Sequence, residues 1–342
     1  MTSFVTYRGS KRAKSAQRFG RQGTDVTIAR VLELTDHRVT HDTWAAVPDV
    51  AYTTDIADVL GDPEVDVVEI GTPPHTHPEL ARQALFAGKH VLVDKPFAPT
   101  EAEAAELFAL AERQGVTIQC YQDRRFDSDF LTAQRVLASG KLGHVFEMVT
   151  SFDNWRSHMM DGCAFDAVED IAHVHATHPL DQFIAWLGEP DRVNSELRQM
   201  HGPGTAADYY DIDLYYDARG IKATAHANYA CAYQRPSFEM YGDRGCFLKF
   251  GKDLQERDLK HFYLPLGHAD FGVDSVDDYG YLRYVDDEGV LREERVVSER
   301  GSYASYYEAL YETVANGAPQ LVAPEETLAQ LRIIDAALRG MA

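Results

Sequence analysis

The chain has 342 residues, 45% of them hydrophobic and 25% charged, with a formal net charge of -21. That length suits two domains in an ordinary globular chain, and the acidic balance excludes nucleic acid or an anionic membrane as partner, since both need a basic face. No apolar run approaches the roughly 18 residues of a spanning helix. The basic opening has no apolar core behind it, unlike a secretory signal. Cys120, Cys163, Cys231 and Cys246 form no C-x-x-C pair, which points to a reducing, cytoplasmic setting.

The first third alternates strand and helix. Residues 26–34 (VTIARVLEL) read as a strand, and 54–60 as a short helix capped by Thr53 or Thr54. Residues 65–70 (VDVVEI) form a strand that ends at Gly71-Thr72-Pro73-Pro74, and 77–87 form a helix stopped by Gly88. A strand at 91–93 runs into Asp94-Lys95-Pro96. A helix capped by Thr100 follows over 100–113, then a strand over 116–120. Apolar strands separated by such helices predict βαβ units and a parallel sheet, with ligands beyond the carboxyl ends of the strands. After a helix at 127–139 the pattern changes. VFEMVTSF, DIDLYYD, IKATAHANYA, SFEMYGD and CFLKF alternate, as antiparallel strands with one wet face do, and YGDRGCF contains a hairpin turn. Two helices close the chain near 303–316 and 324–339. The expected boundary lies near residue 122, giving domains 1–122 and 123–342.

VLVDKPFAPT closely resembles the Glu-Lys-Pro signature of the glucose–fructose oxidoreductase/inositol dehydrogenase (Gfo/Idh/MocA) family, with Asp94 in place of the commoner Glu. GTPPHTHPELARQALFAGKHV resembles the family's Thr-Pro segment and the helix after it. HPLDQFIAWLGEP resembles its His-x-x-Asp helix, and YQDRRFDSDF and YGDRGCFLKFGKDLQERDLK resemble segments of one subgroup. The resemblance covers about residues 47 to 340. It implies an α/β Rossmann-type parallel-sheet domain followed by an α+β domain with a large open antiparallel sheet. It also implies a nicotinamide-dependent oxidoreductase acting on a sugar, polyol or related hydroxy compound.

Lys95 is the residue that such chemistry needs. Hydride leaves an alcohol more readily when its hydroxyl proton is removed or polarised, and a cation stabilises the developing alkoxide. Lysine can also carry the proton, because its pKa moves on burial. The resemblance implies that the bond before Pro96 is often cis. The competing reading is a Lys95–Asp94 pair decorating a strand end. By the same resemblance Gly71, Thr72, Pro73, His77, Asp94 and Pro96 border the nicotinamide, with Asp123 near it. Arg124, Trp155 and Arg156 are substrate-side candidates, although Arg124 and Arg125 equally suit structural pairing with carboxylates, and Trp155 suits ordinary packing. Tyr233 and Arg235 are weaker candidates for the same cleft.

Two departures stand out. A dinucleotide fold opens with G-x-G-x-x-G between strand and helix. Here Lys11, Arg12 and Ala13 stand where glycines belong, and Gly9 is displaced. Side chains there crowd a pyrophosphate and weaken cofactor binding, a loss that Lys11 and Arg12 could offset by charge. Either the motif is truly degenerate or the opening residues are not a faithful copy of the native gene. Glu33, at the end of the second strand, suits the adenosine ribose hydroxyls. It repels a 2′-phosphate by about 4 kcal/mol at about 4 Å and an effective dielectric near 20. NAD is therefore expected, and Arg30 and Arg38 leave room for NADP.

The family also places an Asp four residues before the site histidine. Aligning on Asp181 makes His178 that histidine and puts Val174 where the Asp belongs; Asp170 is the nearest substitute. His173, His175, His178 and Asp181 have the residue types of a divalent-metal site, but His178 already has an implied role and no metal is expected. Two other functions stay open: a non-catalytic dinucleotide or ligand sensor, and an NAD-dependent lyase or glycosidase. The second domain should leave one sheet face uncovered, with apolar residues on both parities of DIDLYYD and IKATAHANYA. A homodimer or homotetramer through that face is expected.

Overall fold

The structure, a computed structural model, describes residues 2–8, 26–33, 51–53, 55–155, 170–261, 263–265 and 267–340, with side chains from residue 53 onward. It divides into two compact units, one of residues 1–122 and 304–328, the other of 123–303 and 329–342. Residues 304–328, expected in the second domain, return to the first.

The first unit holds parallel strands β1 (Thr2–Arg8), β2 (Val26–Glu33), β3 (Ala51–Thr53), β4 (Val67–Gly71), β5 (His90–Val93) and β6 (Ile118–Cys120) in the order β3-β2-β1-β4-β5-β6. The short α1 (Ile56–Leu60) precedes β4, while α2 (His77–Phe86) and α3 (Glu101–Gln114) connect β4 to β5 and β5 to β6. Val67, Ile70, Val91, Leu92, Val93 and Ile118 are all buried, as the continuous apolar runs of a sheet covered on both faces require. The strand order reverses between β1 and β4, and that switch point is where ligands enter such sheets.

Thr100 caps α3 as expected, accepting from the Glu103 N–H, and Gly115 ends it at φ 69°. The cap of α1 differs from expectation. Asp55, not Thr53, accepts the Ala57 N–H at 2.9 Å, because Thr53 is committed to the Asp58 carboxylate at 2.5 Å; Thr54 lies outside the described residues. From the C-terminal return, Tyr306 donates to the Cys120 carbonyl and Tyr307 to Glu69, fixing α8 (Ala304–Asn316) in the first unit.

In the second unit α4 (Ser128–Ala138), α5 (Ile171–Val174), α6 (Thr177–Leu187) and, from Ala329 onward, α9 (Pro324–Arg339) accompany an eight-stranded sheet. Its strands are β7 (Val145–Ser151), β8 (Arg192–Arg198), β9 (Tyr209–Tyr216), β10 (Ile221–Asn228), β11 (Phe238–Gly242), β12 (Gly245–Lys249), β13 (Gly280–Val285) and β14 (Leu291–Val296). Their order is β14-β13-β12-β11-β7-β10-β9-β8. The six-residue α7 (Gln255–Lys260) follows β12.

One pairing corrects the all-antiparallel expectation: β7 and β10 run parallel. Residue alternation reports which face is buried, not strand direction, so sequence could not show this. Phe130, Phe183, Ile333 and Ile334 from the helices meet Tyr210, Ile212, Leu214, Ala223, Ala225, Met240 and Phe247 in one core.

The other sheet face also differs from expectation. Ile212, Leu214, Tyr216, Ala223, Ala225 and Ala227 are all buried, and the opposite parity is not simply apolar. It carries Tyr209 and Tyr215 among Asp211, Asp213 and Lys222. The Arg192 guanidinium lies 3.7 Å from the Tyr215 ring centre, and Lys222 pairs with Asp213 at 3.0 Å.

Candidate active site

In the first unit, Arg8, Glu33 and Gly71 end three neighbouring strands side by side: Arg8 pairs with Glu33 on one flank and with Gly71 on the other. Glu33 thus reaches the carboxyl edge by backbone position. Gly9, Lys11 and Arg12 lie outside the described residues.

Beyond Gly71 the chain enters a compact turn. Thr72 Oγ1 and Thr76 Oγ1 are 2.5 Å apart, and Thr76 donates to the Pro73 carbonyl at 2.7 Å. His77 opens α2 fully buried; Nε2 lies 2.8 Å from the Thr72 carbonyl oxygen and Nδ1 2.9 Å from that of Pro96. Burial lowers the His77 pKa, against the opposing pull of the Thr72 carbonyl and the Asp94 charge.

At the end of β5 the Lys95–Pro96 bond is cis. Asp94 Oδ1 accepts the Lys95 backbone N–H at 2.8 Å, and Lys95 is only 9% exposed. Phe97 stacks on Phe108 at 4.9 Å just downstream, anchoring the segment. Gly71, Thr72, Pro73, His77, Asp94, Lys95 and Pro96 therefore gather at the carboxyl ends of β4 and β5.

In the second unit, α6 carries His178, which is 7% exposed, with Asp181 and Gln182 three and four positions on. This spacing puts the three on one helix face. Arg125 grips Asp181 through two hydrogen bonds of 2.8 and 2.7 Å, and Gln182 donates to the Arg124 carbonyl at 2.7 Å. The helix of His178 is thereby fastened to the turn Asp123–Phe126, which Asp123 opens.

Asp170 has another occupation. One oxygen caps α5 by accepting the Ala172 N–H at 3.0 Å, and the other accepts that of Ala207 at 2.8 Å. Burial raises its pKa against these bonds. His175 points Nδ1 at the Tyr210 hydroxyl, 3.0 Å away, edge-on to Phe152. Among the described residues no three His, Cys, Asp or Glu side chains are placed to hold a metal. His173, His175, His178 and Asp181 do not form the cluster that their spacing suggested.

Arg124 turns to carboxylates instead of standing open: it pairs with Asp127 at 3.1 Å and with Glu256, and lies 3.5 Å from the Tyr303 hydroxyl. Trp155 is exposed and lines a cavity of 380 Å³ with Cys231, Tyr233, Gln234, Arg235 and Phe250. Arg156 lies outside the described residues.

Sequence reasoning missed one charged group. His226 is buried between two carboxylates, with Nε2 3.2 Å from Asp153 Oδ1 and Nδ1 3.7 Å from Asp211 Oδ2. His226 and Asp211 are cross-strand partners, visible only once the β9–β10 register is known. Burial works against the imidazolium, but the two neighbouring carboxylates, Asp153 and Asp211, prevail and raise the His226 pKa. A histidine raised on folding contributes stability below its unfolded value near 6.5 and loses it as pH rises through the folded value. Denaturation midpoints should therefore fall as pH climbs above about 6.5, and His226→Gln should flatten that slope. Parallel slopes in urea melts of the two proteins would remove His226 as its source.

Comparison with known proteins fits these elements. The pattern of the oxidoreductase family with an NAD-binding Rossmann fold matches residues 7–122, and that of the GFO/IDH/MocA C-terminal domain matches residues 130–248. The chain belongs to the Gfo/Idh/MocA oxidoreductase family. Among curated Gfo/Idh/MocA relatives, the uncharacterised oxidoreductase YhhX of Escherichia coli is 40% identical over 84% of this chain and 81% of that protein. The scyllo-inositol 2-dehydrogenase (NADP(+)) IolW of Bacillus subtilis is 27% identical over 86% and 81%. The crystal structure of an oxidoreductase from Bacillus cereus matches with a TM-score of 0.91 and 31% identity, covering 99% of this chain and 96% of that one.

The Gfo/Idh/MocA assignment makes the first unit an NAD-binding Rossmann fold, and NADP is also compatible with the family. No helix among the described residues is long and apolar enough to cross a membrane.

Proposed function

We propose that this oxidoreductase interconverts a hydroxyl and a carbonyl on a polyol or sugar, with Lys95 as the group that polarises the reacting oxygen. The observation that carries this reading is the place of Lys95: nearly buried, at the carboxyl end of β5, with Asp94 turned back onto its own backbone N–H. A lysine ammonium there donates to the hydroxyl or carbonyl oxygen and steadies negative charge as it develops.

The donor set fits a dinucleotide. In this reading the switch point between β1 and β4 would take the pyrophosphate, the end of β2 at Glu33 the ribose, and the Thr72–Pro73 turn the nicotinamide. Glu33 would hold the adenosine ribose, and Gly71, Thr72, Pro73 and Pro96 would border the nicotinamide, which when bound supplies or accepts the hydride. On the second unit, His178 is the proposed proton carrier, held in orientation by the fastening of α6. Asp170, with both oxygens taken by backbone N–H groups, is assigned to holding α5 in place. Arg124, engaged by Asp127 and Glu256, is assigned to structure.

A polyol substrate is favoured by the relative named for scyllo-inositol. The direct test is a panel of inositols, hexoses and alditols, each with NAD and NADP, followed by dinucleotide absorbance. Turnover of a cyclic polyol or sugar supports the reading, and turnover confined to simple aliphatic alcohols contradicts it. The charged and tyrosine-bearing face of the second sheet is proposed to pair two copies of the chain. Sedimentation equilibrium showing only a 38.3 kDa species at every concentration would reject that pairing. The free thiols of Cys120, Cys231 and Cys246 accord with a cytoplasmic setting.

A further inference from the structure

The ladder between β4 and β5 runs through the Ile70–Val93 pair and ends with the Asp94 N–H donating to the Ile70 carbonyl at 2.7 Å. Past that point the two chains carry the residues that matter most, Thr72 on one and Lys95 on the other, and regular strand pairing has stopped. Pro73, Pro74 and Pro96 have no N–H to give, so these positions cannot extend the ladder. Buried carbonyls left in this way need donors from elsewhere.

His77 meets both. Its ring lies between the two segments, 2.8 Å from the Thr72 oxygen through Nε2 and 2.9 Å from the Pro96 oxygen through Nδ1, with no exposed surface. The first residue of α2 thus acts as a rung across two strand ends. Proline at its next position and the 3-10 turn Pro74–Thr76 before it limit how the backbone can move. Pro96 directly follows Lys95, so the spacing between Thr72 and Lys95 depends on this ring.

We propose that His77 is a positioning residue, an imidazole cross-brace that sets the gap between the Thr72 turn and the Lys95 segment and so shapes the nicotinamide-binding edge. This rests on the dinucleotide reading of the first unit. The ring has no exposed surface, so in this proposal it acts through the two carbonyls it faces rather than by direct contact with a ligand. Alanine removes both contacts. Glutamine offers donors from a single nitrogen and cannot reach both carbonyls at once.

The test compares two probes on wild-type protein, His77→Ala and His77→Gln. One is whichever of NADH and NADPH the wild type binds more tightly. The other is ADP-ribose, which lacks the nicotinamide. The expected result for His77→Ala is a loss of about tenfold or more in reduced-dinucleotide affinity, the effect of breaking a buried hydrogen-bonded brace. ADP-ribose affinity should stay within about twofold, and His77→Gln should fall between wild type and His77→Ala. A purely structural role would weaken both probes together, and that outcome overturns the proposal. So does an unchanged ratio of the two affinities in a folded variant. If His77→Ala does not fold, His77→Gln decides alone: a wild-type ratio there overturns the brace. Wild-type protein that binds neither dinucleotide defeats the underlying reading as well, which separates the two failures.

Discussion

Lys95→Met is expected to lower turnover by about two orders of magnitude or more on the best polyol or sugar of the panel, the usual scale of a lost acid–base group. Methionine keeps the length and apolar stem of lysine and removes only the charge and its donors. Because Lys95 is 9% exposed, its stem packs against protein, and methionine can take the same volume. Dinucleotide affinity and thermal stability should barely change. The cost should fall on kcat, because the ammonium matters most when charge develops on the reacting oxygen. Steady-state kinetics with a parallel dinucleotide titration separates the cases. Turnover within a few-fold of wild type would leave Lys95 as an ornament of a strand end. A fall explained by weaker dinucleotide binding would make it a cofactor ligand and nothing more.

The largest stability effect is expected at the pair that fastens α6. Arg125 and Asp181 are 9% and 3% exposed at their side chains. Removing one member of such a buried pair strands the other charge, at about 3–5 kcal/mol. Arg125→Ala should lower the unfolding free energy by that amount, measured in urea at pH 7. The double variant Arg125→Met with Asp181→Leu should recover much of the loss, since no uncompensated charge remains and apolar replacements of buried pairs are often tolerated. A single variant within about 0.5 kcal/mol of wild type would show that water already screens the pair. Since His178 rides on the same helix, Arg125→Ala should also depress turnover in whatever fraction stays folded.

The features legible in the sequence are those written in local chemistry. Thr100, with Glu103 three residues on and Gly115 at the far end, marks α3 to within a residue, because caps and left-handed stops act over a few positions. The runs at 65–70 and 91–93 announce buried parallel strands, and the family motif sits at their carboxyl ends.

What was not legible depends on distant partners or on weak signals. The edge strands β8 (RVNSELR) and β14 (LREERV) are charged, as edges are, and so lack the apolar signature that marks a strand. The parallel pairing of β7 with β10 depends on connectivity that alternation does not encode. Arg125 and Asp181 are separated by 56 positions, and only the packing of α6 against the Asp123–Phe126 turn joins them. Asp170 looked like a displaced acid–base group because spacing alone cannot tell a helix cap from a catalytic carboxylate. The pair His226–Asp211 and the two carbonyl contacts of His77 became visible only through register and through the turn geometry at Thr72.

This chain is expected to work with a nicotinamide cofactor although Lys11, Arg12 and Ala13 stand where the usual glycines would be. Tryptophan fluorescence of the wild-type protein, titrated separately with NADH and NADPH, tests it most directly. Saturable quenching by at least one of them with a midpoint below about 1 mM is the expected result. No response to either up to about 1 mM would contradict it.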